Sequence, residues 1–202
     1  MRTLIDNART FHRQAAENAG EFARLAAGQA PQALFITCSD SRVIPSLITG
    51  AGPGELFEMR TAGNIVPPYR LQHPSGEAAT IEYAVEVLGV ADIVVCGHSH
   101  CGAVGALVRG DDLTAVPAVQ GWLNQADSPS LRQGRGTGEI PAADLAGPVQ
   151  RHVLEQMERL RGYPGIARRL AEGQLRLHGW FYEIHTGLVC EHRPQDGAFL
   201  PL

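Results

Sequence analysis

Two short apolar runs in this chain each end in metal-ligand chemistry, and that repetition constrains the fold more than anything else in it. Ala33-Leu34-Phe35-Ile36-Thr37 leads directly into Cys38-Ser39-Asp40-Ser41-Arg42, and Ile93-Val94-Val95-Cys96 leads into Gly97-His98-Ser99-His100-Cys101-Gly102. Runs of this length and apolar content predict buried strands. Strands that deliver ligand-type residues at their C-terminal ends fit an open α/β sheet, where that edge is the one that binds ligands.

The rest of the chain alternates in the same way. Residues 3–27 carry Leu4, Phe11, Ala15, Phe22, Leu25 and Ala26 roughly on one side of a helix, with Gly28 as its stop. Strands are predicted at 33–38, 56–60 and 92–96, with a Gly-rich turn at 50–54. Ser75 caps a helix that Gly89 closes, with Ile81, Ala84, Val85 and Leu88 at helical spacing. A further helix begins near Cys101, and residues 127–139 are polar and Gly-rich, which predicts a loop. Helices follow at 147–161 and 164–172. A late strand spans 175–184, and a partner strand follows the turn at 185–187, over 188–192. Strands alternating with helices predict an α/β fold, a mainly parallel central sheet flanked by helices. With no repeat and no linker, residues 1–202 read as a single domain.

Several functional classes are excluded by composition. The net charge is −4, so the chain carries no general positive field for nucleic acid. No apolar stretch reaches the ~18–20 residues that span a bilayer. The N-terminal residues lack the apolar core of a signal peptide, which makes the cytoplasm the expected compartment. There the four cysteines, Cys38, Cys96, Cys101 and Cys190, are expected to bind metal or to be buried rather than to form disulfides.

His98 and Cys101 are three apart, so at a helix start both can face one point. Cys38 is 60 residues earlier, yet adjacent parallel strands can bring it close. One imidazole and two thiolates suit zinc, and three protein ligands leave one position open, the pattern of a catalytic site. Taken alone, Cys38 would read as a buried strand cysteine. The carboxylate and guanidinium at 40 and 42 change that reading, because a strand end has no packing use for them and arginine binds carboxylate through a rigid fork. A competing assignment puts Cys96 and His98 on one face of a continuing strand. Cys96 is given mainly to core packing, and His100 to the pocket mouth as a proton carrier. Cys190 reads as structural. Gly50-x-Gly52-x-Gly54 and Gly134-x-Gly136-x-Gly138 do not open a helix after a strand, so neither is a dinucleotide fingerprint.

Cys38-Ser39-Asp40-Ser41-Arg42 together with Gly97-His98-x-x-Cys101-Gly102 resembles the paired signature of the β-class carbonic anhydrases. Arg60-Thr61-Ala62-Gly63-Asn64, Gly76-Glu77 through Val85, and His178-Gly179-Trp180-x-Tyr182 fit the same family, so the resemblance runs from about residue 20 to 190. It implies one Zn2+ per chain on Cys38, His98 and Cys101, and reversible hydration of carbon dioxide to bicarbonate and a proton by zinc-bound hydroxide. Asp40 and Arg42 are the implied catalytic pair: Asp40 either ligates zinc or, held by Arg42, orients the nucleophile. Gln29, Phe57, Ala62, Tyr83 and Gly102 are the implied substrate-binding residues, Gln29 reaching a neighbouring subunit's substrate. The resemblance thus implies a homodimer or a dimer of dimers, with the N-terminal helix packed on the partner. Arg60 and Tyr182 match two parts of a non-catalytic bicarbonate pocket found in some members. Phe35 stands where that pocket has tryptophan, which argues against this form of inhibition here.

Thiolate ligands donate charge to the metal, so activity is expected to rise through mildly alkaline pH. Hydrolysis of carbonyl sulfide or carbon disulfide on the same scaffold is the alternative chemistry. A zinc-bearing regulatory protein without turnover is the alternative class, disfavoured by Asp40 and Arg42. His73 and His100 are candidates for the proton route.

Overall fold

The computed structural model describes residues 1–126, 128–132 and 145–202. The chain opens with α1 (Arg2–Glu17) and α2 (Ala19–Ala26) and then enters β1 (Ala33–Cys38). A short helix, α3 (Pro45–Thr49), leads to β2 (Leu56–Thr61). Next come α4 (Gly76–Glu82), extended by a wider turn over Tyr83–Val87, and β3 (Asp92–His98). Among the described residues, the helices α5 (Gly102–Arg109), α6 (Pro117–Leu123), α7 (Pro129–Arg132) and α8 (Ala146–Arg161) follow. The chain ends with α9 (Pro164–Ala171), β4 (Arg176–Tyr182), β5 (Val189–Arg193) and β6 (Ala198–Pro201).

Among the described residues, six strands form one sheet in the order β2-β1-β3-β4-β5-β6. The first four are parallel and the last two antiparallel. The chain leaves β1 for β2 on one side and returns to β3 on the other. This change of direction opens a crevice at the C-terminal ends of β1 and β3, where α/β sheets bind ligands.

The apolar residues that predicted strands now line the core. Leu34, Ile36, Ile93 and Val95 pack with Ile81, Val153, Leu160 and Ile166 beneath the helices. Each fully buried aliphatic side chain of this kind contributes about 1.5–3 kcal/mol. The other sheet face carries a smaller cluster of Phe35, Val94 and Cys96 against Leu56, Trp180 and Tyr182. Two glycines bring α8 onto the sheet. A Cβ at Gly97 would stand 2.6 Å from Val149 Cγ1, and one at Gly179 would stand 2.7 Å from Met157 Sδ.

Some boundaries differ from expectation. The helix predicted over 3–27 breaks at Asn18, whose backbone leaves the helical region (φ −114°, ψ 36°) while its side chain donates back to Gln14 O. No residue of α1 or α2 is buried, although Phe11 and Phe22 meet edge to face at 5.9 Å. Strand β3 runs two residues beyond the expected end and carries His98 with it. Residues 127 and 133–139 of the expected loop lie outside the described residues. Its described part includes α7, a short helix the composition did not signal. Strand β6 also went unanticipated. Among the described residues no helix is long and apolar enough to cross a membrane.

Candidate metal centre

Cys38 closes β1, His98 closes the neighbouring β3, and Cys101 immediately precedes α5. His100 sits in the left-handed region (φ 59°), and that turn brings Cys101 back beside the strand it has just left. One ligand atom from each of Cys38, His98 and Cys101 lies within 4.8 Å of the others, and all three residues are buried.

The donor set fits a metal for a specific reason. His98 Nδ1 is 2.9 Å from the Ser99 carbonyl oxygen, which can only accept, so Nδ1 carries the proton. That leaves Nε2 as a bare lone pair, fully buried and without a hydrogen-bond partner among the described residues. A buried acceptor facing two sulfurs is costly unless a cation completes it. The thiols respond to each other. The Cys101 thiol donates to Cys38 and holds its pKa well below the usual thiol range, against burial. Sharing that proton, and its own burial, pushes Cys101 far up. The pair therefore releases one proton readily and the second only if positive charge arrives, which zinc supplies.

The chain after Cys38 is held by two arginines. Arg42 Nε donates to Asp40 Oδ1 at 2.9 Å and Nη2 to Oδ2 at 2.7 Å, and the Arg42 backbone N–H adds a bond to Oδ1 at 3.0 Å. This fork holds the Asp40 carboxyl well below the usual carboxylate range. Asp40 Oδ2 stops 4.0 Å from His98 Nε2. Arg60 reaches across from β2 and donates to the carbonyls of Cys38, Asp40 and Val43 at 2.7–3.2 Å, which fixes the loop. Its guanidinium is thus spent on backbone, a role the sequence did not suggest. Phe35 is fully buried and packs edge-on to Trp180 at 5.8 Å.

The remaining candidates separate into two groups. Ala62 follows β2, next to Gly63, whose N–H lies 3.3 Å from Cys38 Sγ, and Gly102 opens α5 beside Cys101. Phe57 pairs in register with Leu34, four residues before Cys38, so about 13 Å separates it from the metal cluster along the strand. Tyr83 stacks against Phe57 with ring centroids 6.0 Å apart. Gln29 lies before β1 and is exposed. The fold does not bring Gln29, Phe57 and Tyr83 to this chain's own cluster.

Cys96 lies in the opposite-face cluster, and burial pushes its thiol up to about 12, so it takes no part in the cluster. The His100 carbonyl accepts from Arg42 Nη2 at 3.3 Å, a backbone role beside its expected place at the pocket mouth. Cys190 is half-buried in β5. Trp122 and His152 were not singled out by sequence, yet both reach the 62–64 loop that touches Cys38. The one available signal was that His152 and Gln156, polar and four apart, interrupt the apolar stripe of α8.

Comparison with known proteins gives the same direction throughout. The family model described as carbonic anhydrase matches residues 33–189. The carbonic anhydrase of Pseudomonas aeruginosa is 49% identical over 190 residues, covering 94% of this chain and 86% of that protein. Carbonic anhydrase 1 of Escherichia coli O157:H7 is 41% identical, with 100% and 92% covered. Among solved structures, the β-carbonic anhydrase CcaA superposes with a TM-score of 0.91 at 38% identity, covering 100% of this chain and 99% of that one. A chain from the tetrameric β-carbonic anhydrases of Sordaria macrospora superposes with a TM-score of 0.79 at 32% identity, with 94% of each covered. In motif, fold and buried ligand cluster alike, this chain belongs to the β-carbonic anhydrases, a family of zinc enzymes.

Proposed function

We propose that this chain catalyses the reversible hydration of carbon dioxide to bicarbonate and a proton, with one zinc held by Cys38, His98 and Cys101. The observation that carries this reading is the set of three buried donors within 4.8 Å of one another, one of them an orphaned imidazole lone pair, beside a carboxylate held 4.0 Å away. Zinc, when bound, supplies Lewis acidity that brings the pKa of coordinated water toward ~7.

The protein's own residues do the rest. Asp40 Oδ2, the carboxylate oxygen nearest the cluster, accepts the O–H of the attacking water and turns its lone pair toward the substrate carbon. Arg42 occupies both oxygens of Asp40 and restrains the carboxylate from becoming a ligand itself. Gly102, in the first turn of α5, presents a backbone N–H that an oxygen of bicarbonate can take up. Ala62, a small residue beside Gly63, is assigned to the substrate wall in this reading. An Arg-locked carboxylate beside three metal-type ligands has no structural task, which speaks against a purely regulatory role; carbonyl sulfide or carbon disulfide is the alternative substrate.

The active unit in this reading is a homodimer or a dimer of dimers. Gln29, Phe57 and Tyr83 lie away from their own cluster, and an exposed helix pair precedes them, so they serve the site of a second subunit on which α1 and α2 pack. Four free cysteines without a disulfide fit a reducing compartment, and we place the chain in the cytoplasm. Residues 1–202 act as one domain.

Stopped-flow hydration of carbon dioxide on metal-quantified protein, from about pH 6.5 to 9, tests the assignment. Turnover proportional to one zinc per chain and rising through mildly alkaline pH is expected. Zinc-loaded protein inert at pH 9 would overturn it, and a parallel assay for sulfide release would identify the alternative chemistry.

A further inference from the structure

Gly63 is one of the backbone contacts that the ligand set makes with the rest of the protein. Its backbone is left-handed (φ 74°), and a Cβ there would meet Ala103 Cβ at 3.0 Å. In this conformation its N–H points at Cys38 Sγ, 3.3 Å away. Two peptide groups flank Gly63, and each is held by a side chain from a different helix.

The peptide between Ala62 and Gly63 has its carbonyl bonded to Trp122 Nε1–H of α6 at 2.9 Å. One peptide unit therefore accepts from an indole at one end and donates to a sulfur at the other. Hydrogen bonds in such a chain polarise one another, so the indole strengthens the N–H that faces the thiolate.

The peptide after Gly63 has its carbonyl 2.7 Å from His152 Nε2 of α8. The tautomer of His152 follows from its neighbours. Gln156 Oε1 accepts from Val66 N–H at 2.9 Å, so Gln156 Nε2 is a donor and faces His152 Nδ1 at 3.4 Å. Nδ1 then accepts, and Nε2 carries the proton that goes to Gly63 O. His152 and Gln156 are both fully buried, and burial pushes the His152 pKa down, in keeping with the neutral ring. Buried polar side chains are costly unless satisfied, and these two are satisfied by the 63–66 backbone.

We propose that Trp122 and His152 are positioning residues of the metal centre, clamping the two peptides around Gly63 so that its N–H holds and tunes the Cys38 thiolate. This rests on the reading that Cys38, His98 and Cys101 hold zinc. A hydrogen bond on a thiolate ligand withdraws charge from the sulfur, which leaves the metal more acidic, and outer partners of this kind typically change metal affinity ~10–100-fold.

The test is Trp122→Phe, which keeps a ring at this half-buried position and removes only the N–H, together with His152→Gln and His152→Leu. Zinc affinity is measured by chelator competition, and the sulfur-to-metal charge-transfer band is recorded on the cobalt-substituted protein. Trp122→Phe should weaken zinc by about tenfold and move the band to lower energy, because a sulfur with a weaker hydrogen bond gives up an electron more easily. His152→Leu should do the same, and His152→Gln, which can still donate to Gly63 O, should restore both. Affinity within about twofold of wild type and an unmoved band in Trp122→Phe, or equal defects in the two His152 variants, would overturn the proposal. If wild type itself binds zinc no better than the variants, and weakly, the ligand assignment fails and the proposal falls with it.

Discussion

Arg42 grips Asp40 at both carboxylate oxygens, at 2.9 and 2.7 Å, and the carboxylate it holds comes to rest 4.0 Å from His98 Nε2. The distance is too long for a hydrogen bond and short enough for Asp40 to face whatever His98 helps to bind. Asp40→Asn keeps the shape and removes the charge. It should retain zinc near one per chain and lose turnover by ~10²-fold or more, the scale of an orienting or general-base group. Metal analysis beside stopped-flow rates checks both halves. Normal turnover in the variant would remove Asp40 from the mechanism.

Gln29 and Asp40 offer a test of the shared site. If Gln29 serves the partner's cluster, a mixed oligomer of Asp40→Asn and Gln29→Ala chains contains one fully intact site for each doubly damaged one. Co-expressed and purified through two tags, it should recover on the order of half of the wild-type rate per dimer, far above either homomeric variant. Activity equal to the average of the two variants would place Gln29 in its own chain's site or in none.

Close packing of α8 on β3 depends on Gly97. Gly97→Ala places a methyl group 2.6 Å from Val149 Cγ1 and 2.7 Å from Val153 Cγ2, both on short β-branched side chains with little rotamer freedom. Overpacking of this kind costs about 1–3 kcal/mol. Denaturant unfolding should show a lower midpoint with an unchanged slope.

Asp92 ties the starts of β3 and β4 together. It accepts from Arg176 twice at 2.7 Å and from His178 at 2.9 Å, and the Arg176 hydrogen bonds lead in depressing its pKa. A depressed carboxylate contributes stability that is fully present above its unfolded pKa, near ~3.9, and is lost as pH falls through the lower folded value. Arg176 is largely exposed, so the contribution is small. Asp92→Asn should lower the melting temperature by about 1–3 °C at neutral pH, with the difference from wild type vanishing in strong acid. A difference that grows as pH falls would have the wrong sign for this pair.

Much of the centre was legible because its chemistry is local. A carboxylate and a guanidinium two residues apart after a strand end have few uses, and Asp40 and Arg42 do form the fork that such spacing allows. Cys101, three residues after His98, could be placed for the same reason. Arg60 was harder to place, because its partners are the carbonyls of Cys38, Asp40 and Val43 on another strand's exit loop, and carbonyls leave no trace in residue type. Trp122 and His152 were missed for the same reason, since both bind backbone in a loop more than 55 residues away. Periodicity predicts a continuous N-terminal helix because it survives a single break, while Asn18 turns out of the helix and its side chain bonds back to Gln14.

Sequence alone determined which residues can ligate, that they sit at strand ends, and that strands alternate with helices. These properties depend on residue type and spacing over a few positions. Tertiary structure decided which strands are neighbours, and so that Cys38 rather than Cys96 joins His98 and Cys101. It also decided that Phe57 and Tyr83 fall at the far end of the sheet. Strand order and register are set by packing summed over the whole core, with β3 crossing to the far side of β1 and α8 settling on two glycines. No local pattern encodes a choice that only the assembled sheet makes.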